Sequence, residues 1–273
     1  MELLFENLAK KLSLTPARVR KFKDWIESAD KARQAGLLDA KTNQYDKAEE
    51  LVTFYTFAPL ELREDKIDVV EEILKLANVH EALEEPVYLS LERLLQSPEG
   101  YRKWLANEVG KHPLRYVREQ GKKHISKRQP LEGMTHVDVA IETKSLLVLV
   151  EVKFTSDISP EIDFDANRNQ LARTIDAGIS EAERKGKRLV VLLCSPSEFY
   201  RKKSRFYYYK AQEYADFGRI AEDIGWREFG EIQKYLKAVA WVPLEKVVEI
   251  VYRNLSHPQL DAARAFFRER MLG

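Results

Sequence analysis

The residues whose types and spacing are suited to chemistry are Asp138 and, after twelve intervening residues, Glu151-Val152-Lys153. Glu151 and Lys153 close the apolar run Leu146-Leu147-Val148-Leu149-Val150, the pattern of a strand covered on both faces. An ionised side chain at the end of such a run is costly unless it is paired or meets a cation. Two positions apart on a strand, Glu151 and Lys153 project from one face. Upstream, Thr135, Val137, Val139 and Ile141 alternate with His136, Asp138, Ala140 and Glu142, which is the period of a neighbouring strand. A hairpin symmetric about Thr143 and Lys144 sets Asp138 opposite Leu149 and diagonal to Glu151, with His136 opposite Glu151. Asp138, Glu151 and Lys153 then share a face. Two converging carboxylates with open positions suit a hard divalent cation, Mg²⁺ or Mn²⁺, that holds a water and a phosphate oxygen together. A lysine beside them orients that water and offsets charge building on phosphorus. Those parts suffice for phosphodiester hydrolysis.

The tripeptide by itself says little, because Asp39-Ala40-Lys41, Glu64-Asp65-Lys66, Glu142-Thr143-Lys144 and Glu183-Arg184-Lys185 share its form. Context selects Glu151, which alone ends a buried apolar strand beside an acid on the neighbouring strand. Downstream, Leu171, Ile175 and Ile179 mark a helix, and Leu189 to Leu193 form a second apolar run read as a buried strand. The order is strand, strand, helix, strand.

Asp138 and Glu151-Val152-Lys153 on that framework resemble the core of the PD-(D/E)XK nuclease superfamily, over roughly a fifth of the chain. The resemblance implies an α/β fold with a restriction-endonuclease-like mixed central sheet flanked by helices. It implies a metal-dependent phosphodiesterase, with DNA favoured over RNA as substrate. Asp138 and Glu151 become metal ligands, joined by the Val152 carbonyl, and Lys153 the catalytic lysine. Val137 stands where the family's first motif has proline. Gln170, on the helix segment Asn169-Gln170-Leu171-Ala172-Arg173, resembles the helix glutamine of exonuclease-like members, with Thr174 in place of their later tyrosine. Gln170 and Arg173 share the face turned from Leu171 and Ile175. Glu108, Glu119 and Glu132 are all candidates for an accessory acid. His136 is expected to be a hydrogen-bonded structural histidine rather than a ligand, and Cys194 a small apolar residue.

The chain carries 45 basic and 44 acidic residues, so any polyanion contact must come from local clustering. Lys111 to Arg128 hold seven basic residues against Glu119 alone. Between Phe199 and Lys210, Arg201, Lys202, Lys203, Arg205 and Lys210 alternate with Phe199, Tyr200, Phe206 and Tyr207 to Tyr209. Lys202, Lys203 and Arg205, with Arg173, are the expected nucleic-acid contacts, since cations neutralise phosphates and aromatic faces stack on bases.

One cysteine excludes an internal disulfide and any Cys-pair zinc site, in keeping with a reducing, cytoplasmic setting. No run approaches the roughly 18 apolar residues of a membrane span. Thr15-Pro16 opens a helix with Val19, Phe22 and Ile26 on one face; Ile67, Val70, Ile73, Leu74 and Ala77 mark another. Helical character is expected to continue from Ser90 to Glu119. Residues 1–105 are thus read as a helical N-terminal region and 106–273 as the nuclease-like domain with closing helices, including a helix around Ala211 to Ile224 and a short strand from Ala238 to Val242. Oligomeric state is open, a homodimer included. Two other readings compete: a nuclease-fold protein that binds nucleic acid without turnover, and a scaffold in which Asp138, Glu151 and Lys153 form a buried ion-pair network.

Overall fold

The structure, a computed structural model, describes residues 8, 11–12, 14–20, 23–24, 49–200, 205–256 and 260–270. It is an α/β fold around a five-stranded mixed open sheet. Strands β1 (Tyr88–Leu95), β2 (Thr135–Glu142) and β3 (Leu146–Val152) form an antiparallel meander; β4 (Arg188–Ser195) and β5 (Leu236–Pro243) continue it in parallel, so spatial order equals chain order. Before β1 come α1 (Glu49–Phe57) and α2 (Lys66–Lys75). Between β1 and β2 stand α3 (Glu99–Lys111) and α4 (Arg115–Ser126). The crossover from β3 to β4 is α5 (Gln170–Lys185). Then follow α6 (Phe206–Glu213), α7 (Phe217–Ile224), α8 (Phe229–Tyr235), β5, α9 (Leu244–Tyr252) and α10 (Asp261–Arg270).

The unbroken apolar runs become the central strands because they are covered on both faces. Val148, Val150, Val190 and Leu192 face Phe54, Val69, Val247 and Phe266; Leu147, Leu149, Val191 and Leu193 face Leu171, Ile175, Ile220 and Ile232. All eight strand residues are 1 % exposed or less. Helix α5 starts where Asn169 Oδ1 accepts the Ala172 amide at 3.0 Å, an N-cap, and ends at Gly186 with φ 64°. Gly178 lets α5 lie close on the sheet: a Cβ there would come within 2.7 Å of Leu149 and 2.9 Å of Leu189. This seats the N-terminus of α5, with Gln170, beside the end of β3.

Several expectations change. Tyr88–Leu95 is a strand, not helix; its leucines and charges favour helix locally, but pairing along β2 decides. Leu51, Phe54, Val70 and Leu89 share one core with Val148 and Val150 of β3. The helix expected around Ala211–Ile224 is two, α6 and α7, parted by Tyr214–Asp216. The turn of the β2–β3 hairpin is Lys144-Ser145, closed by the Thr143 amide on the Leu146 carbonyl at 2.9 Å. Ala140, rather than Asp138, is thus opposite Leu149. Moving a hairpin's centre by one residue displaces the pairing by two, so side-chain parity survives. Thr15 caps the helical residues 16–20 through its hydroxyl, 3.3 Å from the Arg18 amide. Phe22 and Ile26 lie outside the described residues, as do Lys202 and Lys203.

Candidate metal centre

The β2–β3 register, continued one step past Val139 and Val150, sets Asp138 opposite Glu151. There β2 departs from regular alternation. Val139 and Ile141 belong to the core under α1 and α2, whereas Val137 belongs to the core under α5. The break falls at Asp138, and the facing residue of β1 is Glu92, with φ 56°. The other non-glycine residues at positive φ, Asn78, Arg128 and Asn254, each follow a helix end, where that conformation is ordinary. Within a strand it costs about 1–3 kcal/mol and persists where surrounding contacts enforce it. It delivers the Glu92 carboxylate to Asp138 and His136.

Asp138 Oδ2 accepts the Val152 amide at 2.7 Å, a side chain standing in for a rung of the ladder. Glu151 is 1 % exposed. Its Oε1 accepts from Gln170 Nε2 and lies 2.9 Å from Lys153 Nζ; its Oε2 is buried with no hydrogen-bond partner. Lys153 also lies 3.5 Å from Glu49, at the start of α1, which in turn accepts the Phe154 amide at 3.0 Å and the Ser156 amide at 3.1 Å. Glu92 Oε2 pairs with Arg18 and lies 2.8 Å from His136 Nε2, while Oε1 is buried and unpartnered. Ligand atoms of Glu92, His136 and Asp138 lie within 4.8 Å of one another.

The titration of these groups reflects the crowding. Burial, then the neighbouring Glu151 charge, pushes Asp138 well above the usual carboxylate range. Burial likewise raises Glu151, against the pull of Lys153. Lys153 is raised: its carboxylate neighbours Glu151, Glu49 and Asp138 outweigh burial, so it stays protonated. The hydrogen bond that His136 donates to Glu92 raises His136. A surplus of buried carboxylate, with two oxygens lacking donors, is the environment a divalent cation relieves. The donor set is mostly hard oxygen, as Mg²⁺ or Mn²⁺ requires, with one imidazole at its edge.

Asp138, Glu151, Lys153 and Gln170 are therefore brought together. Arg173 is further along α5, 3.5 Å from the Met134 carbonyl and 3.9 Å from Glu132. Arg205 precedes α6, whose first amides are capped by Asp157 instead. None of the three nominated accessory acids reaches the centre. Glu108 pairs with Lys111 at 2.9 Å and Glu119 with Arg115 at 2.6 Å. Glu132 is clamped by Arg168 at 2.9 and 3.1 Å. The acids that do approach, Glu92 and Glu49, carry no local sequence signal. Glu92 sits in a leucine-rich stretch that reads as helix, and Glu49 is 102 residues from Glu151. His136 is exposed; it pairs with Leu94 on β1, and the β2–β3 register, continued past Val139 and Val150, sets it opposite Lys153 rather than Glu151. Cys194 is buried, its thiol pushed up by that burial.

Comparison with protein-family models, curated proteins and solved structures returned no match. Among the described residues no helix is long and apolar enough to cross a membrane.

Proposed function

We propose that the chain is a metal-dependent nuclease built on a restriction-endonuclease-like core, hydrolysing phosphodiester bonds with DNA favoured over RNA. The observation that carries this reading is Glu151: a fully buried carboxylate with one oxygen shared by Lys153 and Gln170 and the other without a donor, facing Asp138. Asp138 and Glu151 would hold Mg²⁺ or Mn²⁺, with Glu92, His136 and the Val152 carbonyl as further candidate ligands. A cation held there would supply Lewis acidity toward a phosphate oxygen and a bound water of lowered pKa. Lys153, held protonated by Glu151 and Glu49, donates to the phosphoryl oxygen as negative charge accumulates there. Gln170 fixes the Glu151 carboxylate; its own carbonyl takes the Ser159 amide at 3.3 Å, which orients the amide group. Water adds to phosphorus as the bond to the leaving ester oxygen breaks and that oxygen takes up a proton.

The test is incubation of the purified protein with linear, circular and single-stranded DNA and with RNA, in Mg²⁺, Mn²⁺ or EDTA. Cleavage is expected with either cation and absent in EDTA. Asp138→Asn and Glu151→Gln should abolish it, and Lys153→Ala should lower it by about 10²-fold or more. Wild-type turnover in Asp138→Asn would sink the assignment.

A further inference from the structure

Several exposed cations of this protein have acids beside them. Lys103 pairs with Glu99 at 2.7 Å, Lys144 with Glu84 at 2.6 Å, Lys246 with Glu249 at 2.7 Å and Arg253 with Glu72 at 2.7 Å. Helix α4 and the two residues after it gather in one place exposed cations that do not. Lys122, Lys123, Lys127 and Arg128 are exposed and have no ion-pair partner among the described residues. In a chain whose charges cancel to +1, this is a local field left uncompensated.

The shape is as distinctive as the charge. Gly121 is the one buried residue of α4, meeting Val109 of α3 and Phe164, so the helix rests on a single contact line. Tyr116, Lys123 and Lys127 recur at spacings of seven and four, which places them in one stripe turned away from Gly121. Tyr116 is 71 % exposed. His124 packs edge-on against Phe164 at 5.2 Å. Phe164 belongs to the segment that runs from Lys153 to Gln170, and residues 127–134 lead from α4 directly into β2, which carries His136 and Asp138. Chain and packing thus join the helix to the strand and to the segment that carry residues of the candidate metal centre.

We infer that the outward face of α4, extended by Lys127 and Arg128, docks B-form duplex DNA. The inference deepens the nuclease reading and rests on it. A convex cationic helix fits a duplex, whose major groove admits a helix while its phosphate strands meet the flanking lysines. Single strands are taken by concave cationic grooves with aromatic floors, which α4 does not form. The deep, narrow major groove of A-form RNA does not admit it.

The test is fluorescence anisotropy of the full chain with a short labelled DNA duplex in EDTA, across a salt series. Wild type should bind with steep salt dependence. The quadruple Lys122→Ala, Lys123→Ala, Lys127→Ala, Arg128→Ala variant should bind about a hundredfold more weakly at low salt, with the slope of log K against log salt reduced by about 3 to 4. A control that removes Lys103, Lys144, Lys246 and Arg253 changes net charge equally and should bind as wild type. Circular dichroism confirms that both fold. Superimposable binding by the α4 variant and wild type, no duplex binding by wild type, or preference for RNA duplex, single strands or polyglutamate would each overturn the inference. Asp138-dependent cleavage with unchanged KM in the α4 variant would overturn it while leaving the nuclease reading standing. Duplex binding that requires α4 in a protein without cleavage would do the reverse.

Discussion

Two clusters of buried charge flank α5, and they differ in whether their charges are matched. In the first, Arg168, 0 % exposed, holds Glu132 through two hydrogen bonds, pairs with Asp176 at 2.8 Å and lies 3.7 Å over the Tyr101 ring. Asp176 also takes Arg227 at 2.8 Å and the Trp226 indole at 2.9 Å. Each carboxylate there has a cation. In the second, Glu49, Glu92, Asp138 and Glu151 gather around Lys153, with Arg18 and His136 at the edge, and two carboxylate oxygens have no donor. A network in which every carboxylate has a cation is a structural device, even with Arg168 Nη1 short of a hydrogen bond, whereas a surplus of carboxylate maintained at a cost in stability points to a ligand. Burial of charge does not by itself mark a site; the mismatch does.

The sharpest way to break that contrast is to remove one charge from each. Arg168→Ala strips Glu132 and Asp176 of a shared cation in a sealed interior and should cost about 3–5 kcal/mol, a fall in Tm of roughly 6 to 20 °C for a chain of this size. Glu151→Gln keeps a hydrogen-bond acceptor for Lys153 and removes a surplus charge, so its Tm should stay within a few degrees of wild type while cleavage disappears. Thermal unfolding of both variants, followed by circular dichroism, decides the matter. Equal losses would mean that the two clusters are of one kind.

A second measurement sharpens the difference through ligand linkage. A cation that binds only the folded state at a hundred times its Kd contributes about 2.7 kcal/mol, or roughly 5 to 10 °C. Mn²⁺ should therefore raise the Tm of wild type and of the Arg168→Ala variant alike, and leave Glu151→Gln where it was. A rise in Glu151→Gln equal to wild type would place the cation elsewhere.

How much of this was legible in the sequence follows the reach of local pattern. The apolar runs at Leu146 and Leu189 can be read because strands covered on both faces leave no alternation to misinterpret. Glu151, Lys153 and Gln170 can be read because they sit at the ends of those elements. β1 cannot, since Leu89, Leu91, Leu94 and Leu95 among Glu92 and Arg93 satisfy a helix as well as a strand, and pairing with Ala140 and Val139 settles it. With β1 went Glu92, and with it the accessory acid. Which members of a basic, aromatic stretch stay free is hidden for a related reason. Around Tyr200 to Lys210 the alternation of cation and ring suggests base stacking, yet Tyr207 is buried, Tyr200 stacks on Trp241 at 4.0 Å, and Lys210 is paired with Asp223 at 2.6 Å. Those partners are 13 to 41 residues away in sequence. Which charges remain unpaired is a tertiary fact.

The smallest expected effect follows from the sign of the pKa shifts. Glu142 belongs with the matched clusters: its partial burial acts upward, but Lys185, Lys187 and Arg93 outweigh it and hold its pKa at about 2. Its contribution is full above the ordinary carboxylate range and fades as pH falls toward 2. Asp138 is the opposite case, since burial and Glu151 raise it. Between its ordinary and its raised value the folded state binds more protons than the unfolded chain, so stability falls as pH rises through that window and stays lowered at neutrality. Asp138→Asn removes the titrating group yet keeps an oxygen for the Val152 amide. In EDTA at neutral pH it should therefore unfold at a slightly higher temperature than wild type. That advantage should shrink as pH is lowered to the ordinary carboxylate range, where Asp138 is protonated in both states. Differential scanning fluorimetry of the two proteins over that pH range reads the difference directly. A variant less stable than wild type at neutral pH, or an advantage that grows on acidification, would show that Asp138 is stabilised by its surroundings and that the second cluster is as well matched as the first.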